Sequence, residues 1–154
     1  MNALKVLYVD DDPDIRQIVA LSLRRDPAVT AHFAASAEEA LARIEGDASP
    51  DVVLADVMMP GMGGLALADA LRAAPRTRDV PVIFVTARAR ESDMDAYRAH
   101  GAIGVIVKPF DPLHLADLVR TRLAAANALP TSDDGSKDGA GDAGGKVSST
   151  VPRP

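Results

Sequence analysis

Short apolar runs alternate along this chain with stretches in which apolar positions return every three or four residues, five times over. That pattern predicts βαβ units and a parallel sheet. The runs at 4–9, 29–34, 52–56, 81–86 and 103–107 read as strands, and their near-continuous apolar character suits strands covered on both faces. Between them the amphipathic stretches read as helices. The first, 13–25, starts with Asp12 as cap and Pro13 in the first turn, and turns Ile15, Ile18, Val19 and Leu23 inward. The second opens at Ser36, with Glu39 three places on as a capping box, and carries Ala40, Leu41 and Ile44 to a stop near Gly46. A third covers 64–74. A fourth covers 91–100, with Gly101 as a left-handed cap. The fifth repeats the cap-then-proline start at Asp111 and Pro112 and runs to about 128, with Leu113, Leu115, Leu118, Val119 and Leu123 facing in.

Composition sets the frame around these elements. A chain of 154 residues, 47% hydrophobic and 25% charged, suffices for one domain with a real core and leaves no room for a second. The domain is expected over 1–129. Residues 130–154 are rich in Gly, Ser and Asp, with Val147 and Val151 as the only larger apolar side chains, so they predict a disordered tail without an output module. Cysteine is absent, which excludes disulfides and thiolate metal sites and fits a reducing compartment, with cytoplasm the simplest location. The opening Met1-Asn2-Ala3-Leu4-Lys5 enters a strand directly, leaving no leader or membrane span. A net charge of -5 argues against direct nucleic-acid binding and for a protein partner.

The chemistry gathers where the strands end. Asp10, Asp11 and Asp12 follow the first strand, Asp56 closes the third, Thr86 closes the fourth, and Lys108 with Pro109 follows the fifth. All lie on one rim of a parallel sheet. Open α/β sheets hold ligands outside the carboxyl ends of their strands, where the winding reverses. With strand order 2-1-3-4-5, Asp10, Asp11 and Asp56 converge there. Carboxylates so close repel unless a cation holds them, and an oxygen-only donor set suits Mg²⁺. A carboxylate nucleophile, a metal, an ammonium and a hydroxyl are what a transferring phosphoryl group needs.

With these residues placed, the chain resembles the receiver domains of two-component response regulators, including the single-domain chemotaxis-type members, over about residues 3–128. The motifs are Val9-Asp10-Asp11-Asp12, Asp56-Val57-Met58-Met59-Pro60-Gly61, Val85-Thr86-Ala87 and Val107-Lys108-Pro109-Phe110. The resemblance implies a flavodoxin-like doubly wound (βα)5 fold and a phosphorylation switch, not an enzyme acting on other molecules. Asp56 is then the phosphoacceptor, taking a phosphoryl group from a phosphohistidine on a histidine kinase or histidine phosphotransfer protein. Asp11, Asp56 and the Met58 backbone carbonyl hold Mg²⁺, with Asp10 acting through water. Lys108 pairs with the phosphoryl oxygens ahead of a cis Lys108-Pro109 bond, and Thr86 moves to report the modification to an effector protein of unknown identity.

The chain departs from the family pattern at its readout. Many receivers carry an aromatic switch residue shortly before the lysine; here that place holds Val105, whose branched side chain is stiff about its first torsion. Gly61-Met62-Gly63-Gly64 replaces a Met-Asp-Gly turn and removes an aspartate that could cap the third helix. Met58 and Arg88 occupy positions that tune phosphoryl lifetime in the family. The three methionines at 58, 59 and 62 read as packing, and His32, His100 and His114 lack metal-ligand spacing. Two other readings stay open on the residues: a docking-only pseudo-receiver, and a haloacid-dehalogenase-type phosphatase whose nucleophile would be Asp10. The second lacks the Thr or Val that its motif wants where Pro13 stands, an acidic pair after Lys108, and room for a cap.

Overall fold

Each expected element forms. The computed structural model describes residues 3–46 and 49–128, and the tail expected over 130–154 lies outside the described residues. The strands are β1 (Leu4–Val9), β2 (Val29–Ala34), β3 (Val52–Asp56), β4 (Val82–Thr86) and β5 (Gly104–Val107). The helices are α1 (Pro13–Arg24), α2 (Ala37–Gly46), α3 (Gly64–Ala73), α4 (Glu91–Ala99) and α5 (Leu115–Ala128). Two compact units divide the chain at Leu123, and of the second only the end of α5 is described.

All five strands are parallel, in the order β2-β1-β3-β4-β5. Alternation along each strand sends side chains to two separate cores. Val6, Tyr8, Leu54, Ile83, Val85 and Ile106 join Val19 and Leu23 of α1 and Leu115 and Val119 of α5. Leu7, Val9, Val53, Ala55, Phe84 and Val105 join Ala40 and Ile44 of α2, Leu67 and Leu71 of α3, and Tyr97 of α4. Central β3 and β4 are buried along their whole length, as a doubly covered sheet requires. Fully burying one of the larger aliphatic side chains, such as Leu54 or Leu67, contributes about 1.5 to 3 kcal/mol.

Capping largely follows the sequence. Asp12 Oδ1 accepts from the Asp14 and Ile15 amides at 2.9 and 3.4 Å, so Asp12 is a cap and not part of the acidic site. The Glu39 amide donates to Ser36 Oγ at 3.0 Å, while the Glu39 carboxylate reaches back to the Ala35 amide, one residue beyond the expected partner. Gly101 takes φ +89°, the left-handed value that its cap role demands, with the Arg72 side chain packed where a Cβ would stand.

Three expectations are corrected. Ile18, expected inward, is 45% exposed, because it lines an open apolar hollow with Ile15, Pro109 and Phe110 instead of entering the core. Leu113 is 62% exposed, because the chain after Asp111 first makes a 3-10 turn, Pro112–His114, and only then the helix. With three residues per turn that segment rotates Leu113 off the face α5 buries. The Ser22 hydroxyl on α1 donates to the Pro112 carbonyl and fixes this turn. Edge strand β2 alternates instead of being buried on both sides, with Thr30 and His32 exposed. At α3 the cap residue, Gly63, makes no side-chain bond, as expected, and the glycines have a further reason of their own: a Cβ on Gly64 would stand 2.5 Å from the Asp56 carbonyl oxygen. The loop after β3 folds too closely over the end of that strand for a side chain there.

Candidate functional site

The order of strands brings the predicted rim together. β1 pairs with β3 in register up to Val9 and Ala55, so the next residues, Asp10 and Asp56, close neighbouring strands. One carboxylate oxygen from each of Asp10, Asp11 and Asp56 lies within 4.8 Å of the others, and among the described residues this is a group that could hold a metal ion. Asp10 is fully buried, Asp56 is 6% exposed, and Asp11 faces solvent.

Each buried carboxylate is held at both oxygens. Asp10 Oδ1 accepts from the Asp12 amide at 3.0 Å, and its Oδ2 accepts from the Tyr8 hydroxyl at 3.1 Å. Asp56 Oδ1 accepts from the Met58 amide at 3.1 Å, and its Oδ2 accepts from Lys108 Nζ at 3.1 Å. The same ammonium lies 3.6 Å from Asp10 Oδ2, so one cation sits between two acids. Lys108 is positioned through its own amide, which donates to the Thr86 carbonyl at 2.8 Å, and its bond to Pro109 is cis.

Burial decides the electrostatics. It pushes the Asp56 carboxyl above the ordinary range, against the downward pull of Lys108 and the Met58 amide, and the charge on Asp10 adds to the rise. Burial alone would lower Lys108, yet its bond to Asp56 and the charges of Asp56 and Asp10 hold it above its usual value. The ammonium is therefore fixed at neutral pH. Tyr8 is raised by burial first and by Asp10 second, so its phenol keeps its proton and donates it.

On the other half of the rim, Thr86 is 1% exposed. Its Oγ1 accepts from the Arg88 amide at 2.9 Å and lies 3.5 Å from the Tyr97 hydroxyl, which donates to the Arg88 carbonyl at 2.9 Å. The Tyr97 ring meets Phe84 edge-on at 5.5 Å. Met58 lies exposed in the loop after β3. Val105 is away from the rim, paired with Phe84 in mid-strand and buried in the same core as Tyr97.

Sequence reasoning missed three residues here. Tyr8 shares the strand face of Asp10 by the period of two, and a lone tyrosine in an aliphatic strand was the available signal. Arg16, in the first turn of α1, donates from Nη1 to the Asp10 carbonyl at 2.7 Å, a contact that no motif marks. Tyr97 is the sole buried residue of α4, whose polar sequence hides it. The histidines stay outside the site: His100 pairs with Asp69 and His114 with Asp111, each at 2.8 Å, and His32 is exposed.

Residues 6–120 match the model of a family described as the response regulator receiver domain. The "Uncharacterized 14.6 kDa protein in sodA1 3'region" of Leptolyngbya boryana is 38% identical over 117 residues, 76% of this chain and 88% of that one. Response regulator Rre1 of Synechocystis sp. is 34% identical over 134 residues, 87% of this chain but 57% of the relative, so the chain spans little more than half of that longer protein. Among solved structures, the chemotaxis protein CheY4 of Vibrio cholerae superposes with a TM-score of 0.72 at 33% identity, covering 77% of this chain and 98% of the other.

Proposed function

The chain belongs to the family of response regulator receiver domains, and we propose that Asp56 is its phosphoacceptor, taking a phosphoryl group from a phosphohistidine of a sensor kinase or phosphotransfer protein. Receiver domains are phosphorylation switches and not enzymes in the ordinary sense, so the activity here is the chain's own modification and its reversal. The observation that carries the reading is Asp56 itself: a buried carboxylate, bonded to Lys108 at 3.1 Å, inside a cluster of three acids.

Phosphoryl transfer asks mostly for position and fixed charge. An oxygen of Asp56 forms the new P–O bond while the P–N bond to the donor imidazole breaks and its electron pair stays on nitrogen. The Met58 amide and Lys108 hold the carboxylate in one orientation, which removes the entropy of finding it. Lys108, kept protonated by two acids, offers a preorganised cation to the phosphoryl oxygens, worth about 10²- to 10³-fold by analogy with a single oxyanion donor. Burial, which raises the affinity of Asp56 for protons, also makes its carboxylate a better nucleophile.

The donor set fits a hard divalent cation: oxygen ligands alone, with two buried carboxylates and one exposed. Asp11, Asp56 and the Met58 carbonyl would hold Mg²⁺, with Asp10 through water. When bound, the ion would neutralise the acids and the oxygens of the phosphoryl group. Thr86 would supply the hydroxyl that reports the new group.

The domain is read as 1–129, with 130–154 as a separate tail. Among the described residues no helix is long and apolar enough to cross a membrane. The family reading supports a cytoplasmic chain, partnered by a histidine kinase or histidine phosphotransfer protein and by an effector protein. Full burial of Asp10 and its bond to Tyr8 favour Asp56 over the phosphatase reading. Intact mass after incubation with acetyl phosphate and Mg²⁺ tests this. One added phosphoryl group, lost in Asp56→Asn and in chelator, is the expected result. No gain where a control receiver is labelled points to docking alone; a gain that survives Asp56→Asn but needs Asp10 points to the phosphatase.

A further inference from the structure

Counting protons on the Thr86 side of the rim gives a direction. Tyr97 has one hydroxyl proton, and the Arg88 carbonyl takes it at 2.9 Å. Across the 3.5 Å between the two hydroxyls, Thr86 is therefore the donor and the Tyr97 oxygen the acceptor. Thr86 also accepts from the Arg88 amide, so both of its bonds point toward the loop after β4 and α4, and none toward Asp56. The Thr86–Tyr97 bond is at the long limit for a hydroxyl pair, whereas a hydroxyl bonded to an anionic oxygen is short and about twice as strong as a neutral bond. A phosphoryl oxygen on Asp56 outcompetes Tyr97 for that proton.

We propose that Tyr97 is the readout residue of this receiver: when Asp56 is phosphorylated, Thr86 gives its proton to the phosphoryl group, and the buried Tyr97 hydroxyl loses its donor. The inference rests on Asp56 being the phosphoacceptor. The loss does not stay local. Tyr97 is 4% exposed, so water does not readily replace the donor, and the ring is tied to Arg88 by its hydroxyl and to Phe84 by its edge. The segment from Arg88 to the start of α4 and α4 itself are what must adjust. Val105 sits in the same core but has neither a hydroxyl nor a ring to turn, so the signal leaves through α4 and not through β5.

The chain has two tyrosines, Tyr8 in the acidic half of the rim and Tyr97 in the other, so uniform meta-fluorotyrosine gives two fluorine NMR signals. Tyr97→Phe, which keeps the ring, assigns them. Adding acetyl phosphate and Mg²⁺, with intact mass followed in the same sample, should shift both. In Thr86→Val, isosteric but without the hydroxyl, the Tyr8 signal should still move and the Tyr97 signal should not; in Thr86→Ser both should move again. A Tyr97 signal that stays still in the unmodified chain while Tyr8 moves and mass is gained overturns the proposal, as does a Tyr97 shift of equal size in Thr86→Val. Absence of both the mass gain and the Tyr8 shift instead removes the phosphoacceptor reading, and this inference with it.

Discussion

The two halves of the rim do different kinds of work with different chemistry. At the ends of β1 and β3 the groups are charged and pinned: two buried carboxylates have both oxygens occupied, and one ammonium lies between them. At the end of β4 the groups are neutral, and one of the bonds that hold them is long. A charged site must be fully bonded to be buried at all, because an unpaired buried charge costs several kcal/mol. A neutral hydroxyl relay can hold a weak bond at little cost, and a weak bond is one that can switch. Stiffness on one side and slack on the other are what a phosphorylation switch requires.

The largest effect should come from breaking the stiff half. Lys108→Ala removes the cation shared by Asp10 and Asp56 and should slow labelling by acetyl phosphate by roughly 10²-fold or more, about 2.7 kcal/mol in the barrier. Rates of mass gain measure it. A loss below threefold would mean that the ammonium contributes little to transfer and that the two halves differ less than their geometry implies.

Next comes an attempt to put the family's aromatic back. Val105→Tyr introduces a ring into a core that already holds Phe84 and Tyr97, and overpacking of this kind costs about 1 to 3 kcal/mol. Urea unfolding measures it. If the variant is as stable as the parent, the space is not taken, and the aromatic on α4 is no substitute for one on β5.

The same contrast explains what the sequence could reveal. The strands, the helix faces and the acids of the rim were legible because each is written in a local pattern: apolar runs, three-and-four spacing, aspartates at strand ends; the strand order came with the family resemblance. The Lys108–Asp56 pair, 52 residues apart, was legible only because the parallel order brings all strand ends to one side. Tyr97 was not. Its role depends on facing Thr86 across eleven residues and a loop, and a single tyrosine in a polar helix has no period to announce it. The close packing at Gly64 was hidden for a related reason, since the sequence shows the missing cap but not the backbone that passes beneath it. Leu113 failed where α-helical spacing was assumed for a 3-10 turn.

Asp56→Asn tests the stiff half in another way. Burial sets the folded-state pKa of Asp56 above its unfolded value, so the folded chain binds that proton more tightly. Ionised at neutral pH, the carboxylate opposes folding, and that cost fades as pH falls through the folded value toward about 4. In chelator at pH 7, Asp56→Asn should therefore melt higher than the parent, and the gap should close toward pH 4. Thermal melts at several pH values decide it. A variant that melts lower at pH 7 would show that Lys108 more than offsets burial.

The smallest effect belongs to a carboxylate far from the rim, with the opposite sign. Asp26 Oδ2 accepts from Arg120 Nη1 at 2.6 Å, and Oδ1 accepts from the Ala28 amide at 2.9 Å, tying the turn before β2 to α5. Arg120 first, and then the amide, hold this carboxyl below its ordinary range. Here the unfolded chain binds the proton more tightly, so the stabilisation is present above the unfolded value near 4 and is lost as pH falls through the lower folded one. Asp26→Asn should melt slightly lower than the parent at pH 7, and the difference should shrink on acidification and in molar salt, which screens a partly exposed pair. Two aspartates in one chain would then show opposite pH dependences. If instead Asp26→Asn and Asp56→Asn respond to pH in the same sense, burial does not distinguish the rim from the surface, and the reading of Asp56 as a carboxylate made more nucleophilic by burial loses its physical ground.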